Sequence, residues 1–268
     1  MMIIATWNIC LGLKNKKEYV YDVIKEKKID ICLLQEVEIP VNYDTNLLSH
    51  REFRIETETN CVKSRTAIII NENSQYERQK TLEKEDRGII VIDLNGPEKY
   101  RIINVYRSFN PPNNETPLNF FDTQLDIISN AIRSSNGKKI IIAGDFNLDD
   151  KKRFANDYRH KILFDKLNSI CDQFNLIQII NEATWQRTVN NSLKESTLDH
   201  LYVTDPNYIS NVKLLEPLIG DHKLITFEIN VIPSPSNPKV LRNWKNYTKQ
   251  KLLNRLSLQE FDIETDSV

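Results

Sequence analysis

The sequence predicts an α/β protein in which two mainly antiparallel β-sheets pack face to face and helices flank their outer faces, giving a four-layer α/β sandwich. Short apolar runs of strand length outnumber the amphipathic segments of helix length. Some of these runs follow one another directly, with a hairpin signal at Asn95-Gly96, whereas others are separated by a predicted helix. The chain has 268 residues, 40% of them hydrophobic and 27% charged, which suits a globular domain with a large core.

The predicted strands are apolar runs bounded by polar or turn-forming residues. In chain order they lie at residues 2–10, 31–34, 54–58, 67–71, 88–94, 100–106, 139–143, 197–204 and 224–230. Apolar residues spaced three or four apart predict helices at residues 16–28, 118–132 and 162–174. A loop is predicted where two prolines and two asparagines follow one another at residues 111–114.

Composition excludes several classes of protein. The net charge is −1, so the chain is not a polycation that holds nucleic acid by bulk charge. Its apolar runs are far shorter than the roughly 20 residues of a membrane span, and its apolar start lacks the basic segment of a secretory leader. The four cysteines form no CxxC pair, which favours buried thiols in a reducing compartment. We therefore expect an intracellular protein without a membrane partner.

The chain is predicted to divide near residue 232. Prolines 233, 235 and 238, with serines between them, indicate a linker after the domain of residues 1–232. Residues 237–255 hold six basic residues and no acid. We predict that residues 233–268 form a linker and a basic, partly helical connector, although a solvated helix without a binding role fits this basic run equally well.

Polar residues at the ends of apolar strands form the candidate site. They are Asn8, Glu36, Asp145, Asn147, Asp199, Asp221 and His222. Several carboxylates on one rim of a sandwich would repel one another unless a cation lay among them. Oxygen ligands favour a hard ion, Mg²⁺ or alternatively Mn²⁺, and the sequence has no HExxH motif or Cys/His cluster for zinc.

Six segments carry a resemblance to a known superfamily. They are Thr6-Trp7-Asn8, Leu34-Gln35-Glu36, Asn104-Val105-Tyr106, Gly144-Asp145-Phe146-Asn147, Leu198-Asp199-His200 and Gly220-Asp221-His222. In order and spacing they resemble the endonuclease/exonuclease/phosphatase superfamily, which includes deoxyribonuclease I and abasic-site endonucleases. The resemblance runs from residue 3 to about residue 230 and implies a deoxyribonuclease I-like sandwich that hydrolyses phosphodiesters with a divalent metal.

The resemblance implies roles for the metal-side residues of this chain. Glu36 would be the main metal ligand, with Asn8 beside it and Asp221 contributing. Asp145 would activate the attacking water, and Asn147 would orient that water. Such a set answers a physical need, because a phosphodiester repels nucleophiles unless a cation offsets its charge and a base activates the water.

The resemblance also implies phosphate-side roles. His222 would hydrogen-bond the scissile phosphate, and Asp199 would hold His222 in the required tautomer. Tyr106 would stabilise developing charge, and Thr184 resembles a phosphate-contacting hydroxyl. This chain departs from many relatives in having Gly220 where they have Ser before the Asp-His pair, so one phosphate contact is absent.

Ordinary structural roles remain open for several of these residues. Asp145 could cap the segment after its strand, His222 could be a surface histidine, and Tyr106 could be an ordinary aromatic at a strand end. His200 neighbours Asp199 on a strand and therefore points to the opposite face, where we interpret it as structural. Two of only six glycines directly precede Asp145 and Asp221, which fits either a close backbone approach or a plain turn.

Three further segments resemble the LINE-type, non-LTR retrotransposon branch of this superfamily. They lie at residues 105–112, 196–202 and 242–248. The resemblance implies a nuclear enzyme that nicks double-stranded DNA and leaves a 3′-hydroxyl to prime reverse transcription. It also implies a reverse transcriptase domain on the C-terminal side in the parent protein.

Residues 186–196 are a candidate hairpin beside the site, and relatives use such a hairpin in the minor groove. Arg187, Asn190 and Lys194 are predicted DNA contacts, and Arg107 is a further one. A disordered polar loop is the open alternative for this segment. Two other functions also stay open, namely an abasic-site repair endonuclease and a catalytically idle domain retained for binding DNA or protein.

Overall fold

The computed structural model describes residues 1–230 apart from residues 49, 60 and 153–157. The predicted boundary at residue 232 and the predicted linker and connector lie outside the described residues. Within the described part of the chain, no helix is long and apolar enough to cross a bilayer.

Two six-stranded sheets form the centre of the described domain, with the strand orders β13-β14-β1-β2-β4-β3 and β5-β6-β7-β8-β12-β9. The first sheet comprises β1 (Met2–Asn8), β2 (Ile31–Pro40), β3 (Phe53–Thr57), β4 (Lys63–Asn71), β13 (Ile209–Leu215) and β14 (Leu224–Ile229). The second comprises β5 (Tyr76–Arg78), β6 (Ile89–Leu94), β7 (Tyr100–Tyr106), β8 (Lys139–Asp145), β9 (Ile177–Gln178) and β12 (Asp199–Val203). Strands β10 (Trp185–Val189) and β11 (Ser192–Ser196) form a separate hairpin.

Each sheet is mainly antiparallel but contains one parallel pair. Helix α1 (Leu13–Glu26) joins the parallel strands β1 and β2, and helix α2 (Pro117–Arg133) joins β7 and β8. Helix α3 (Tyr158–Phe174) follows β8. Because the carboxyl ends of parallel strands meet at the same edge of a sheet, each pair brings two strand ends to one rim.

The core has three apolar layers. Side chains of both sheets meet in the central layer, where Ile68, Ile92 and Phe227 are fully buried. Helix α1 packs on the outer face of the first sheet, and α2 and α3 pack on that of the second. Burying each such aliphatic side chain contributes about 1.5–3 kcal/mol. The predicted four-layer sandwich is therefore confirmed.

Helix α2 shows how local sequence positions the rim. Thr116 caps the helix by accepting a hydrogen bond from the Asn119 amide at 3.2 Å, and Pro117 occupies the first turn. The buried Gln124 side chain then donates to the Tyr106 carbonyl at 2.9 Å. The helix thereby fixes the end of β7, where Tyr106 begins the site.

The structure corrects several predicted boundaries. Helices α1 and α3 begin at Leu13 and Tyr158, earlier than predicted. Strand β2 continues to Pro40, so Glu36 lies within a strand at an irregularity in the β2–β4 register rather than after its end. The Asn95-Gly96 hairpin forms, but residues 95–99 make its loop instead of a two-residue turn.

Three strands of the described chain were not predicted. Strands β5 and β9 are only three and two residues long. Strand β13 lies at a sheet edge and its register shifts between Ser210 and Lys213. An edge strand needs little burial, so β13 carries exposed polar residues. These residues interrupt the apolar run on which the prediction of a strand depends.

Candidate active site

The predicted catalytic residues come together at one rim of the sandwich. Asn8 ends β1, Tyr106 ends β7 and Asp145 ends β8. In the second sheet, Asp145 is the register partner of both Tyr106 and Asp199, so three of these residues lie side by side across β7, β8 and β12. His222 lies just before β14 in the first sheet. Both sheets therefore contribute to a single site.

Asn8 links two carboxylates at the base of this rim. Its fully buried side-chain amide donates to Glu36 Oε1 at 3.1 Å and to Asp145 Oδ2 at 2.8 Å. The amide oxygen accepts from the Cys10 backbone N–H at 2.8 Å. Tyr106 donates its hydroxyl to Glu36 Oε1 at 3.3 Å. Two acidic groups from different sheets thus converge on the same amide.

The irregularity in β2 places the Glu36 side chain at the rim. Glu36 has φ of 57°, a left-handed conformation that is uncommon for a side chain with a Cβ. Its neighbour Gln35 is fully buried and donates to the Asn104 side chain at 2.7 Å. In a regular strand, successive side chains point to opposite faces of the sheet. The left-handed conformation of Glu36 interrupts this alternation. Such strain is typical of functional sites.

Asp145, Asp199 and His222 form a buried acid–imidazole cluster. His222 Nδ1 lies 2.9 Å from Asp199 Oδ2, so the other ring nitrogen is turned away from Asp199. Ligating atoms of the three residues all lie within 4.8 Å of one another. Asp199 Oδ1 has no hydrogen-bond partner among the described residues. From this position Asp199 is able to orient the His222 ring, which stays its predicted role.

Burial and mutual charge shift the pKa values of this cluster. Burial, reinforced by the charge of Asp199, raises the pKa of Asp145 to about 7. Burial alone lowers the pKa of His222, but the charge and hydrogen bond of Asp199 outweigh it and raise that pKa to about 10. At neutral pH the cluster therefore holds a cationic imidazole beside a carboxylate that is close to its own titration point.

Asn147 lies beside Asp145 and is held by backbone contacts. Its backbone N–H donates to Asp145 Oδ1 at 2.7 Å, and its side chain donates to the Arg107 carbonyl at 2.7 Å. The Arg107 guanidinium is buried and donates to the carbonyls of Phe146 and Asn147. Arg107 was predicted as a substrate contact, but in this structure it is buried and supports the Asn147 loop from within through its Nε and Nη2 donors.

Thr184 also occupies a different place from the predicted phosphate contact. It is fully buried, and its hydroxyl oxygen accepts from the backbone N–H groups of Leu198 and Asp199 at 3.0 and 2.9 Å. A hydroxyl enclosed in this way is not available to a phosphate. Its observed contacts instead hold the start of β12, which carries Asp199.

His200 has the structural place that alternation predicts. It is fully buried, stacks on Phe146 with ring centroids 5.0 Å apart, and lies within hydrogen-bonding distance of the Tyr202 hydroxyl. The glycine before Asp145 is explained by a close approach, because a Cβ on Gly144 would overlap the Val105 carbonyl oxygen.

The predicted hairpin at residues 186–196 forms as β10 and β11. Arg187 and Lys194 face each other across it, and Asn190 and Asn191 at its turn both have positive φ, as a type I′ turn requires. Its base is fixed to the His222 segment, since the Gln186 N–H donates to the Asp221 carbonyl at 2.9 Å. The hairpin is therefore held in place beside the acids.

A cleft of about 790 Å³ connects the hairpin with the acids. It is lined by Cys10, Leu11, Glu36, Phe109, Asn147, Asp149, Lys152, His160, Trp185, Arg187, Lys194, Glu195, Ser196, Leu198, Asp221 and His222. Basic side chains on one wall and the acids at the base suit a polyanion whose phosphate must approach a cation. Cys10 was not predicted for this cleft: the sequence favoured a buried thiol, whereas the structure leaves Cys10 half-buried and lining the cleft.

The residues present fit a hard divalent cation. Glu36 and Asp145 converge on one amide, and Asp145 is buried beside a second carboxylate, Asp199. The raised pKa of Asp145 reflects a concentration of negative charge that a cation would relieve. All of these donors are oxygens, which favours the chemistry of Mg²⁺ or Mn²⁺.

Comparison with known proteins agrees with this description. The sequence model of the Endonuclease/Exonuclease/phosphatase family matches residues 5–222. A comparison with curated protein sequences finds no match.

Solved structures with the same fold include several nucleases. The endonuclease domain of TRAS1, a telomere-specific non-LTR retrotransposon, is 16% identical with a TM-score of 0.66, and the match covers 86% of this chain and 99% of that chain. The catalytic domain of Xenopus laevis APE2 is 15% identical with a TM-score of 0.67, covering 88% and 94%. The 3′ phosphatase NExo from Neisseria, bound to a product DNA hairpin, is 17% identical with a TM-score of 0.62, covering 86% and 100%.

These likenesses confirm the predicted deoxyribonuclease I-like fold. Because the family match spans most of the described domain, the chain belongs to the Endonuclease/Exonuclease/phosphatase family and is, as a member, a metal-dependent phosphodiesterase.

Proposed function

We propose that this protein is a Mg²⁺-dependent endonuclease that nicks double-stranded DNA and leaves a 3′-hydroxyl and a 5′-phosphate. One observation carries the proposal. Glu36 and His222 line a cleft together with the cations of Arg187 and Lys194, and the buried Asp145 lies directly beside them. An acid set with a cationic wall suits a phosphodiester within an extended polyanion better than a small monoester.

Glu36 is the main residue that would hold the metal, and Asn8 fixes the separation between the Glu36 and Asp145 carboxylates. When bound, the ion supplies positive charge to the nonbridging phosphate oxygens. The protein groups around it need little reorganisation, since both carboxylates already accept hydrogen bonds from the same amide.

Asp145 is suited to take the proton of the attacking water. Its pKa of about 7 in the metal-free protein makes it a base near neutral pH. As the water oxygen bonds to phosphorus, its proton passes to Asp145 and the bond from phosphorus to the 3′ oxygen breaks. The departing oxygen takes a proton from solvent and becomes the 3′-hydroxyl. Asn147, held 2.7 Å from Asp145 through its backbone N–H, lies where it can orient the water.

His222 is suited to bind the scissile phosphate. Asp199 holds Nδ1, and the raised pKa of His222 keeps the ring protonated at neutral pH, so Nε2–H is a charged donor. A charged donor to a phosphate oxygen is worth more than a neutral one. The Tyr106 hydroxyl, which donates to Glu36, is a further donor at this rim.

A nicking assay tests the proposal. Purified protein is incubated with supercoiled plasmid in Mg²⁺ or in EDTA, and relaxed circles are counted on a gel. Wild type should nick only with Mg²⁺, and Asp145→Asn should lose at least about a hundredfold in rate, because loss of a general base costs 10²–10⁴. The product ends should be extended by a DNA polymerase and resealed by a ligase.

Glu77→Gln is the matched control, since Glu77 is an exposed acid on the edge strand β5. It should nick at the wild-type rate. Equal nicking by wild type and Asp145→Asn, or nicking that persists in EDTA, would overturn the proposal.

An abasic-site endonuclease is the second candidate function. The fold likeness to the APE2 catalytic domain is as good as that to the retrotransposon domain, with TM-scores of 0.67 and 0.66. Duplexes with and without one abasic site separate the two functions. Strong preference for the abasic duplex would favour repair, whereas equal cutting would favour the retrotransposon-type endonuclease.

We also propose where in the cell the enzyme acts. Resemblance of residues 105–112, 196–202 and 242–248 to retrotransposon endonucleases supports a nuclear enzyme whose 3′-hydroxyl primes a reverse transcriptase in the parent protein. Microscopy of the tagged chain tests the location, and exclusion from the nucleus would contradict it.

A further inference from the structure

Cys10 lies in the cleft on an unusual loop after β1. Cys10 and Leu11 have φ of 50° and 64°, and both are uncommon conformations for residues with a Cβ. The Lys16 ammonium donates to the carbonyls of Ile9 and Cys10 at 2.6 and 2.5 Å, which holds the loop in this shape. The half-buried Cys10 thiol donates to Asp221 Oδ1 at 3.0 Å. The thiol thus has a fixed place beside an active-site acid.

Gly220 makes room for this thiol. A Cβ on Gly220 would overlap the Cys10 Sγ and lie 2.5 Å from the Cys10 Cβ. Many relatives carry a serine side chain at the position of Gly220. In this protein the Cys10 sulfur occupies that space instead. Cys10 and Gly220, 210 positions apart in the sequence, therefore form one local arrangement.

Three side chains of different chemistry meet at this point. One ligating atom each from Cys10, Asp221 and His222 lies within 4.8 Å of the others. His222 is 5% exposed, and its Nε2 makes no hydrogen bond within the described part of the chain, since the nearest Asp221 oxygen is 4.0 Å away. A buried imidazole nitrogen therefore lies close to both a thiol and a carboxylate.

We propose that Cys10, Asp221 and His222 form a three-ligand site for a thiophilic divalent cation such as Zn²⁺, and that filling it switches the enzyme off. Sulfur, imidazole and carboxylate are the ligands that Zn²⁺ prefers, and three protein ligands leave a fourth position open. Ligand atoms in such a site lie about 3–4 Å apart, so small side-chain rotations complete it.

Binding is an exchange of protons for a metal. Two protons leave: the S–H bond of Cys10 and the Nε2–H bond of His222 break, and both protons pass to solvent. The electron pairs left on sulfur and nitrogen bond to the cation, with no change in oxidation state. Mg²⁺ competes poorly here because it prefers oxygen ligands. The site therefore discriminates between the activating ion and a thiophilic one.

Inhibition follows from the shared ligands and rests on the proposed function. His222 Nε2 cannot donate to a phosphate while it is bound to a cation. Asp221, once bound to the thiophilic cation, likewise cannot contribute to binding Mg²⁺. The thiophilic cation is thus expected to inhibit even when Mg²⁺ is saturating.

Binding is tested directly with Co²⁺, the spectroscopic substitute for Zn²⁺, added alone to metal-free protein under reducing conditions. Wild type should show a thiolate-to-cobalt charge-transfer band that saturates at one equivalent and disappears on adding Zn²⁺. Cys10→Ser should lack the band, and Asp221→Asn should weaken Co²⁺ binding at least about tenfold. Cys61→Ser is the matched control, because the Cys61 thiol is buried and lies 3.7 Å from the Glu58 carbonyl.

A second measurement links the site to activity. In the plasmid assay with excess Mg²⁺, half-inhibition of Cys10→Ser should need at least about tenfold more Zn²⁺ than half-inhibition of wild type. Absence of the cobalt band from wild type, or its persistence in Cys10→Ser, would overturn the metal site. Should no plasmid be cut at all, the cobalt band still tests the site, so the two proposals fail separately. Near-ultraviolet circular dichroism checks that each variant is folded.

Discussion

Individual residues of the rim combine strain with buried charge. Glu36 takes a left-handed conformation, and Asp145 and Asp199 lie buried beside each other with one imidazole between two acids. Such arrangements destabilise the metal-free fold, because burial of carboxylates without full pairing opposes folding. The site is therefore expected to cost stability in return for affinity for the ion.

The pH dependence of stability should reveal this cost. The folded-state pKa of Asp145, about 7, lies above its usual value near 3.8, so the folded protein binds more protons than the unfolded chain between these values. Stability must then fall as the pH rises through this window, by an amount of order a few kcal/mol. His222, with its pKa raised to about 10, adds stability that is full below pH 6.5 and lost toward pH 10.

Asp145→Asn should therefore be more stable than wild type in EDTA near pH 8, and its advantage should be smaller near about pH 5. Urea unfolding at both pH values measures the difference, with Glu77→Gln as the control. Added Mg²⁺ should reduce the advantage by stabilising wild type more than the variant. An advantage at pH 5 as large as that at pH 8 would contradict the assignment of the buried charge to Asp145.

The contact between Cys10 and Gly220 predicts a specific pattern of rescue. Gly220→Ala should destabilise the protein by roughly 2–4 kcal/mol, from overlap with Cys10 and from φ of 72° at Gly220. Adding Cys10→Ala should recover only a small part, because it removes the overlap with Sγ but leaves the two Cβ atoms 2.5 Å apart. Adding Cys10→Gly should recover the part due to overlap. Thermal unfolding of wild type and the three variants measures this, and equal rescue by alanine and glycine would contradict the contact.

Among the elements, the β10–β11 hairpin has the least burial and the clearest separate role. Its strands pair only with each other, yet its base is bonded to the Asp221–His222 segment. Residues 186–196 are mostly exposed, so packing does not explain their basic and amide side chains. The hairpin is therefore the element through which DNA affinity can be changed with little effect on the fold.

Arg187→Ala and Lys194→Ala should each weaken DNA binding about three- to tenfold at moderate salt and lower the slope of log affinity against log salt by about one. Fluorescence anisotropy with a duplex, in Ca²⁺ to prevent cutting, measures both quantities. Lys213→Ala is the control, since Lys213 is exposed on β13 and outside the residues that line the cleft. Loss of affinity with an unchanged salt slope would indicate that these cations do not contact phosphates.

At the scale of the whole molecule, the sequence predicted the layers of the sandwich and the acidic residues that meet at its rim. It did not predict where several side chains, among them Arg107 and Thr184, point. Apolar runs located the buried strands because burial on both faces leaves a continuous signal. The direction in which Arg107 and Thr184 point depends on loops that pack around them, and residue type alone does not reveal it. The approach of Cys10 to Asp221 joins residues 211 positions apart, which no local pattern encodes.

The contribution of both sheets to the site also has a consequence for when the enzyme becomes active. Asn8 and Glu36 belong to one sheet, whereas Tyr106, Asp145 and Asp199 belong to the other. A folding intermediate with only one sheet formed would contain only part of the site. It could neither bind the ion tightly nor cleave a phosphodiester. We therefore expect metal binding and cleavage to require both sheets in their final places, so that tight binding of the ion would report a completely folded domain.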